Sequence, residues 1–393
     1  MVYATSDGVG ARKLRVGMIG GGRDAFIGAV HRLALRLDDR IELVAGALSS
    51  DPERAKLSAT DLGIDPDRAY SSYQEMADAE SSRADGIEAV IIVTPNHLHA
   101  PVARAFLKAG IDVICDKPLS ATLAEAEELA DLADRSGLVF AVTLNNTGYA
   151  MVREARAMVA SGALGKIRIV RAEYIQDWLT LPIDADGHKQ AEWRTDPARA
   201  GRSACLADIG VHAYSLAQFV TGMVPERIAA DLTTFVPGRR LDDNAHVLMR
   251  YAGGARGVLI ASQVSPGNLN RLSLKIYGEK AGLEWFAHEP EVLHFTPFGE
   301  PTRTLVRGGP GVGAAAAAVS RMPAEHPEGY VEGFANLYRD AAALIAARRA
   351  GQTPDAALVA SVPNVHDGLK GMRFIEAAVD SHKADGTWIT LAA

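Results

Sequence analysis

The sequence predicts two domains of different class. The first is an α/β domain on a doubly wound parallel sheet, and the second an α+β domain on a large, mostly antiparallel open sheet. Three observations carry this. At 393 residues the chain exceeds what one hydrophobic core usually serves. As far as residue 142, short β-rich runs alternate with amphipathic helical stretches, the pattern of strands joined by crossover helices. Beyond residue 161, strand candidates follow one another with glycine turns between them, the pattern of hairpins.

In chain order, the first strands are expected at Arg15 to Ile19, Ile41 to Leu48, Ala89 to Thr94, Asp112 to Cys115 and Val139 to Val142. Helices are expected at Phe26 to Leu37, Ala100 to Ala109 and Thr122 to Ser136, the last opened by a capping box of Thr122 and Glu125. A helix from Met151 to Ser161 ends at Gly162. Strands then follow at Ile167 to Ile175, Arg227 to Phe235, Ala245 to Tyr251, Arg256 to Gln263, Leu272 to Tyr277 and Leu283 to Phe286, with turns at Gly253-Gly254 and Gly278 to Gly282. Gly308 to Val319 reads as a flexible surface segment, in preference to a short helix after a mobile loop. The division falls between Val142 and Tyr149, giving domains 1–145 and 146–393. The second domain's helices cover one face of its sheet. The other face calls for a partner copy, hence a homodimer or homotetramer.

Composition is globular, with 48% hydrophobic and 23% charged residues. A net charge of -7 argues against nucleic acid and anionic membrane, which want a basic face, and leaves a small molecule as the partner. The stretch before Lys13 reads as a loose leader without a signal-peptide pattern, and no apolar run approaches a membrane span. Only Cys115 and Cys205 occur, too few for a disulfide framework. A cytoplasmic protein is expected.

Between the first strand and the first helix lies Gly20-Gly21-Gly22-Arg23-Asp24-Ala25, a G-x-G-x-x-A turn of the Rossmann type. Gly20 permits the tight turn, Gly22 lets a pyrophosphate approach the backbone beside Arg23 and Asp24, and Ala25 permits close helix packing. An NAD site normally carries an acid at the end of the second strand, but here that strand ends Ala47-Leu48-Ser49-Ser50. Asp51, before Pro52, reads as a helix N-cap. Ser49, Ser50 and Arg54 form a set able to receive a 2′-phosphate, so within NAD(P) the reading favours NADP.

Two more strand-end segments border the expected nicotinamide: Thr94-Pro95-Asn96-His97-Leu98-His99 and Cys115-Asp116-Lys117-Pro118. With a later Asp208-Ile209-Gly210-Val211-His212, these make the chain resemble the Gfo/Idh/MocA family of glucose-fructose oxidoreductase and inositol dehydrogenase over nearly its whole length. The resemblance implies an NAD(P)-dependent dehydrogenase acting on a CH–OH group. It implies that Thr94, Pro95, Asn96, His99, Asp116, Lys117 and Asn145 lie along the cofactor, and that the Lys117–Pro118 peptide is cis. It gives Lys117 a place beside the substrate hydroxyl, His212 the role of general base and Asp208 that of its electrostatic partner. Asp116 stands where the family usually has glutamate.

The residue types suit that chemistry. A neutral imidazole can take the hydroxyl proton, an ammonium can stabilise the alkoxide, and an i, i+4 spacing brings Asp208 and His212 to one helix face. Tyr149, Gln176, Asp177, Trp178, Trp193, Arg194 and Asn268 supply the aromatic faces and polar groups that a sugar-like ring wants. Relatives often carry arginine just after the first asparagine of Asn145-Asn146-Thr147-Gly148. Its absence favours a neutral sugar, anhydrosugar or cyclic polyol.

Three rivals stand beside this reading. A metal enzyme could use His97, His99, Asp208 and His212, but there is no HExxH motif and no cysteine pair, so no metal is expected. A non-catalytic regulatory protein on the same fold would not need Lys117, Asp208 and His212 together. A closed-cycle enzyme with tightly held cofactor, performing transhydrogenation or redox-assisted glycoside cleavage, would use the same residues.

Overall fold

The computed structural model describes residues 12–23 and 25–391, so the leader and Asp24 lie outside the described residues. The chain begins with β1 (Leu14–Gly20), α1 (Phe26–Arg36), β2 (Ile41–Ala47), α2 (Pro52–Asp61), α3 (Tyr73–Ser82), β3 (Ala89–Val93), α4 (His99–Lys108), β4 (Asp112–Cys115), α5 (Leu123–Ser136) and β5 (Phe140–Val142). The capping residues act as expected. Asp51 accepts from the Arg54 N–H and Thr122 from the Glu125 N–H, while Gly137 ends α5 at φ +63°.

Next come α6 (Ala150–Ala160), β6 (Ile167–Ile175), α7 (Lys189–Arg194), α8 (Pro197–Ala200), α9 (Val211–Thr221), β7 (Pro225–Thr233), β8 (Asn244–Tyr251) and β9 (Arg256–Ser262). They are followed by β10 (Arg271–Gly278), β11 (Ala281–Phe286), β12 (Val292–Pro297), β13 (Arg303–Val306), α10 (Ala314–Ala317), α11 (Tyr330–Arg349), α12 (Ala356–Ser361), α13 (Val365–Lys383) and β14 (Ile389–Thr390).

These elements form two compact units, and the chain passes between them more than once. The first contains the described residues to Gly148 together with Tyr330–Leu369, and the second contains Tyr149–Gly329 with the described residues from Lys370. A single division into 1–145 and 146–393 therefore misses the return of residues 330–369. Apolar packing explains that return. Phe334, Ala335, Tyr338, Ala341 and Ile345 of α11 are buried in one core with Val16, Val30, Ile91 and Ile114.

In the first unit the described strands form a five-stranded, all-parallel sheet in the order β2-β1-β3-β4-β5. The order reverses between β1 and β3, and ligands of such sheets bind at the strand ends flanking that reversal. β3 is Ala-Val-Ile-Ile-Val and buried throughout, as a strand covered on both faces must be.

In the second unit the described strands form a nine-stranded sheet in the order β13-β12-β11-β10-β6-β9-β8-β7-β14. Every pairing is antiparallel except β6 with β9. One face packs Val170, Ala172, Val247, Leu259, Leu274 and Ile276 against α6, α9 and α13, where Tyr214 stacks on Phe374 at 4.2 Å. The other face carries Ile169 and Leu248, 46% and 53% exposed. Residues 308–319 are not a loose surface segment: Ala316 and Val319 are buried in this core. Among the described residues, no helix is long and apolar enough to cross a membrane.

Candidate active site

In the first unit, the turn after β1 requires glycine at specific points. Gly20 and Gly21 have φ of +77° and +69°, and a Cβ on Gly20 would lie 2.7 Å from the Val93 carbonyl oxygen. Gly22 has ordinary φ. Its N–H donates to Leu48 O, and a Cβ there would meet that oxygen at 2.6 Å. The close helix contact belongs to Gly28, whose Cβ would stand 2.4 Å from Gly21 Cα, whereas Ala25 only precedes α1 as its N-cap. The packing role expected at Ala25 is therefore carried by Gly28. It escaped the motif because it sits inside a helical pattern, where a glycine marks close packing.

A groove of about 420 Å³ beside this turn is lined by Gly22, Arg23, Ala25, Phe26, Arg32 and Asp61. The Arg23 side chain pairs with Asp61 (2.5 and 2.8 Å), and its N–H donates to Ser58 Oγ. Arg54 donates to the Arg23 carbonyl at 2.9 Å, and Ser49 Oγ accepts from the Asp51 N–H. Ser50 is exposed.

The ends of β3, β4 and β5 meet through side chains. Thr143 Oγ1 donates to Asp116 Oδ1 (2.9 Å), as does the Lys117 N–H (2.8 Å), and the Lys117–Pro118 peptide is cis. His99 Nδ1 lies 2.6 Å from Pro118 O and its Nε2 2.8 Å from Thr94 O. Burial pushes this imidazole below its ordinary value, against the pull of Asp116 and the two carbonyls. A neutral ring has one N–H, so His99 donates to one of these carbonyls and faces the other, and both ring nitrogens are turned to the main chain of the two loops. Pro95 leads into a single 3₁₀ turn that holds the buried Asn96.

This edge fits a dinucleotide on two counts. The glycine turn leaves room that side chains would fill, and two buried polar atoms, Thr94 Oγ1 and Asn145 Nδ2, have no hydrogen-bond partner among the described residues.

In the second unit, Leu206–Gly210 forms a π-helical turn that runs into α9, so Asp208 and His212 lie one wide turn apart. Asp208 accepts from Gln263 Nε2 at 2.9 Å and faces Arg194 Nε at 3.3 Å. The Tyr174 ring meets His212 edge-on at 6.0 Å, and burial together with Asp208 pushes its hydroxyl up.

Beside them, Gln176 links Trp178 Nε1 (2.9 Å) and Asn270 Oδ1 (2.8 Å). Arg194 lies over the Trp193 ring at 4.2 Å. Two other candidates hold their own loop: Asn268 donates to Ser265 O, and Asp177 accepts from the Gly267 N–H. Tyr149 is buried against Trp285, which makes its ring a core element rather than a substrate face. Gln263 was missed. Gln263 had a signal, a polar residue ending the apolar run Val-Leu-Ile-Ala-Ser.

Comparison with known proteins agrees with this geometry. Residues 14–144 match the model described as "Oxidoreductase family, NAD-binding Rossmann fold", and residues 152–284 that of the GFO/IDH/MocA C-terminal domain. The chain is similar to an oxidoreductase from Sinorhizobium meliloti, 51% identical over 96% of this chain and 100% of that one, with a TM-score of 0.88. It is also similar to an inositol dehydrogenase homolog from Azotobacter vinelandii solved with NADH and myo-inositol, 37% identical over 97% and 98% of the two chains, with a TM-score of 0.90. Levoglucosan dehydrogenase of Pseudarthrobacter phenanthrenivorans is 30% identical over 69% of this chain and 73% of its own. The chain belongs to the GFO/IDH/MocA family and is an oxidoreductase of the dehydrogenase type, acting on CH–OH with a nicotinamide dinucleotide bound by its Rossmann unit.

Proposed function

We propose that this enzyme oxidises a secondary hydroxyl of a neutral cyclic polyol or sugar and uses NAD⁺. The observation that carries the reading is the Asp208–His212 turn, with Gln263 and Arg194 on the carboxylate and the Gln176–Trp178–Asn270 cluster on the same unit. An aromatic face beside an amide pair suits a ring bearing several hydroxyls, and no arginine follows Asn145 to favour an anion. A relative similar over nearly its whole length is described with NADH and myo-inositol. For the cofactor, Arg54 is engaged on the Arg23 carbonyl, and that relative is described with NADH. Both favour NAD over the NADP expected from Ser49, Ser50 and Arg54.

When bound, the nicotinamide would supply the acceptor for the hydride of the carbinol carbon. The protein's own groups handle the rest. Neutral His212 takes the hydroxyl proton at one ring nitrogen, while Lys117 holds its ammonium for the developing alkoxide. Asp208, an acceptor held by Gln263 and Arg194, favours the imidazolium that His212 becomes. Thr94 and Asn145 offer their unpartnered polar atoms to the cofactor. Trp178, Gln176, Trp193 and Arg194 orient the ring. We further propose a homodimer or homotetramer through the sheet face that bears Ile169 and Leu248.

The test is a panel of inositols, neutral sugars and levoglucosan with NAD⁺ and NADP⁺ in parallel, followed at the nicotinamide absorbance. A cyclic polyol or sugar should reduce NAD⁺ in preference to NADP⁺. Product formed without net NADH would favour the closed-cycle enzyme, and tight cofactor binding with no turnover the regulatory protein.

A further inference from the structure

Behind Asp116 lies a chain of buried polar groups that no step above uses. His31, in the second turn of α1, is 0% exposed, and its Nδ1 is 2.6 Å from the hydroxyl of Tyr338 on α11. Its other nitrogen, Nε2, has no hydrogen-bond partner among the described residues and faces Asp116 Oδ2 at 3.9 Å. The Phe334 ring at 4.8 Å and the Tyr338 ring at 5.8 Å fix the imidazole plane. On its far side, Asp116 Oδ1 receives the Lys117 N–H and the Thr143 hydroxyl.

Electrostatics gives this chain one polarity. A bare Nε2 would turn its lone pair toward a carboxylate in a dry site, so the ring proton belongs on Nε2, pointing at Asp116. Nδ1 must then accept, and the Tyr338 hydroxyl must donate to it. We propose that Tyr338 and His31 are positioning residues for Lys117. Tyr338 donates to His31, His31 presents Nε2–H to Asp116, and Asp116, kept ionised, holds the Lys117 main chain through its other oxygen. The functional consequence rests on the role proposed above for Lys117, but the polarity itself does not.

The surrounding groups are consistent with this. His31 is faced by Tyr338, Asp116 and Arg32, and burial holds it below its ordinary value, against the pull of Asp116. Asp116 is faced by His31, Lys117 and His99. Burial pushes it up, yet these three together leave it below its ordinary value. Burial, then Asp116, push Tyr338 up. The chain therefore stays neutral tyrosine, neutral imidazole and carboxylate through neutral pH.

Two measurements test it. Solid-state ¹⁵N NMR of histidine-labelled, sedimented full-length protein, with His31→Gln identifying the signal, should show a neutral ring protonated at Nε2. An Nδ1–H tautomer or an imidazolium at neutral pH would overturn the polarity. In kinetics, glutamine is the informative replacement, because its Oε1 can accept from Tyr338 while its Nε2 donates toward Asp116. His31→Leu can do neither.

His31→Leu and Tyr338→Phe should lower kcat about 10-fold with KM for the cofactor little changed, and His31→Gln should recover most of the loss. Equal kcat in the leucine and glutamine variants would contradict a positioning role, because lost packing alone does not distinguish them by hydrogen-bond polarity. If His31→Leu does not fold, Tyr338→Phe and the ¹⁵N spectrum decide. Near-native turnover in Lys117→Ala would remove the role proposed for the lysine, while the polarity would still be decided by the ¹⁵N spectrum.

Discussion

Gly28 and Gly21 approach so closely that neither tolerates a side chain: a Cβ on Gly28 would stand 2.3 Å from the Gly21 carbonyl oxygen. Backbone cannot yield as a flexible side chain can. Gly28→Ala should therefore lower stability by about 1–3 kcal/mol and weaken cofactor binding, read by urea unfolding and by cofactor titration. A variant matching the parent in both would contradict the packing role. The rest of the first-unit site was legible where chemistry concentrates at strand ends. The glycine turn, Thr94 and the Asp116-Lys117-Pro118 segment are short-range patterns. Gly28, His31 and Tyr338 were not legible, since two lie inside an amphipathic helix and the third reaches His31 from 307 residues away. His99 was legible as part of the motif, but the two main-chain carbonyls it faces were not, because they carry no sequence signature.

Among the elements, strands buried on one or both faces announced themselves by alternation or by an apolar run, and β6 was expected at its observed bounds. The strands that escaped are at or near the sheet edges. β13 is Arg-Thr-Leu-Val with no buried residue, and β14 has two residues. Their pairing comes from neighbours rather than from their own pattern. α11 escaped for the opposite reason. Its buried residues run almost continuously from Gly333 to Ala342, which blurs the one-sided stripe that marks a surface helix. Burial on that scale makes α11 part of the first unit's core. Ile345→Ala, at a 0% exposed position, should cost roughly 2–5 kcal/mol. A loss of unfolding free energy, measured in urea, below about a tenth of that would show that α11 is dispensable.

For the molecule as a whole, acid should act early through His31. Burial holds its folded value below the ordinary 6.5, so below that pH the unfolded chain binds a proton that the folded chain refuses. Stability is then complete above the ordinary value and falls as pH drops through it. Asp116, also held below its ordinary value of 3.8, adds a loss in the same direction at lower pH. The urea midpoint should decline between about pH 7.5 and 5.5, and decline less in His31→Gln, which has no proton to gain. Equal declines would place the acid sensitivity elsewhere. Assembly is open to a simple check. Sedimentation at micromolar concentration should give a species of at least twice the chain mass, and a monomer alone would contradict the sheet-face interface.

The mechanism stands or falls on turnover by Lys117→Ala and His212→Ala with a substrate that the parent enzyme oxidises. Cofactor affinity, measured by titration of NADH fluorescence, should survive in both. Turnover should fall by about 10² or more in the lysine variant, and by about 10² to 10⁴ in the histidine variant, with part of the latter loss restored at high pH as hydroxide replaces the base. Near-native turnover in both variants would contradict the mechanism.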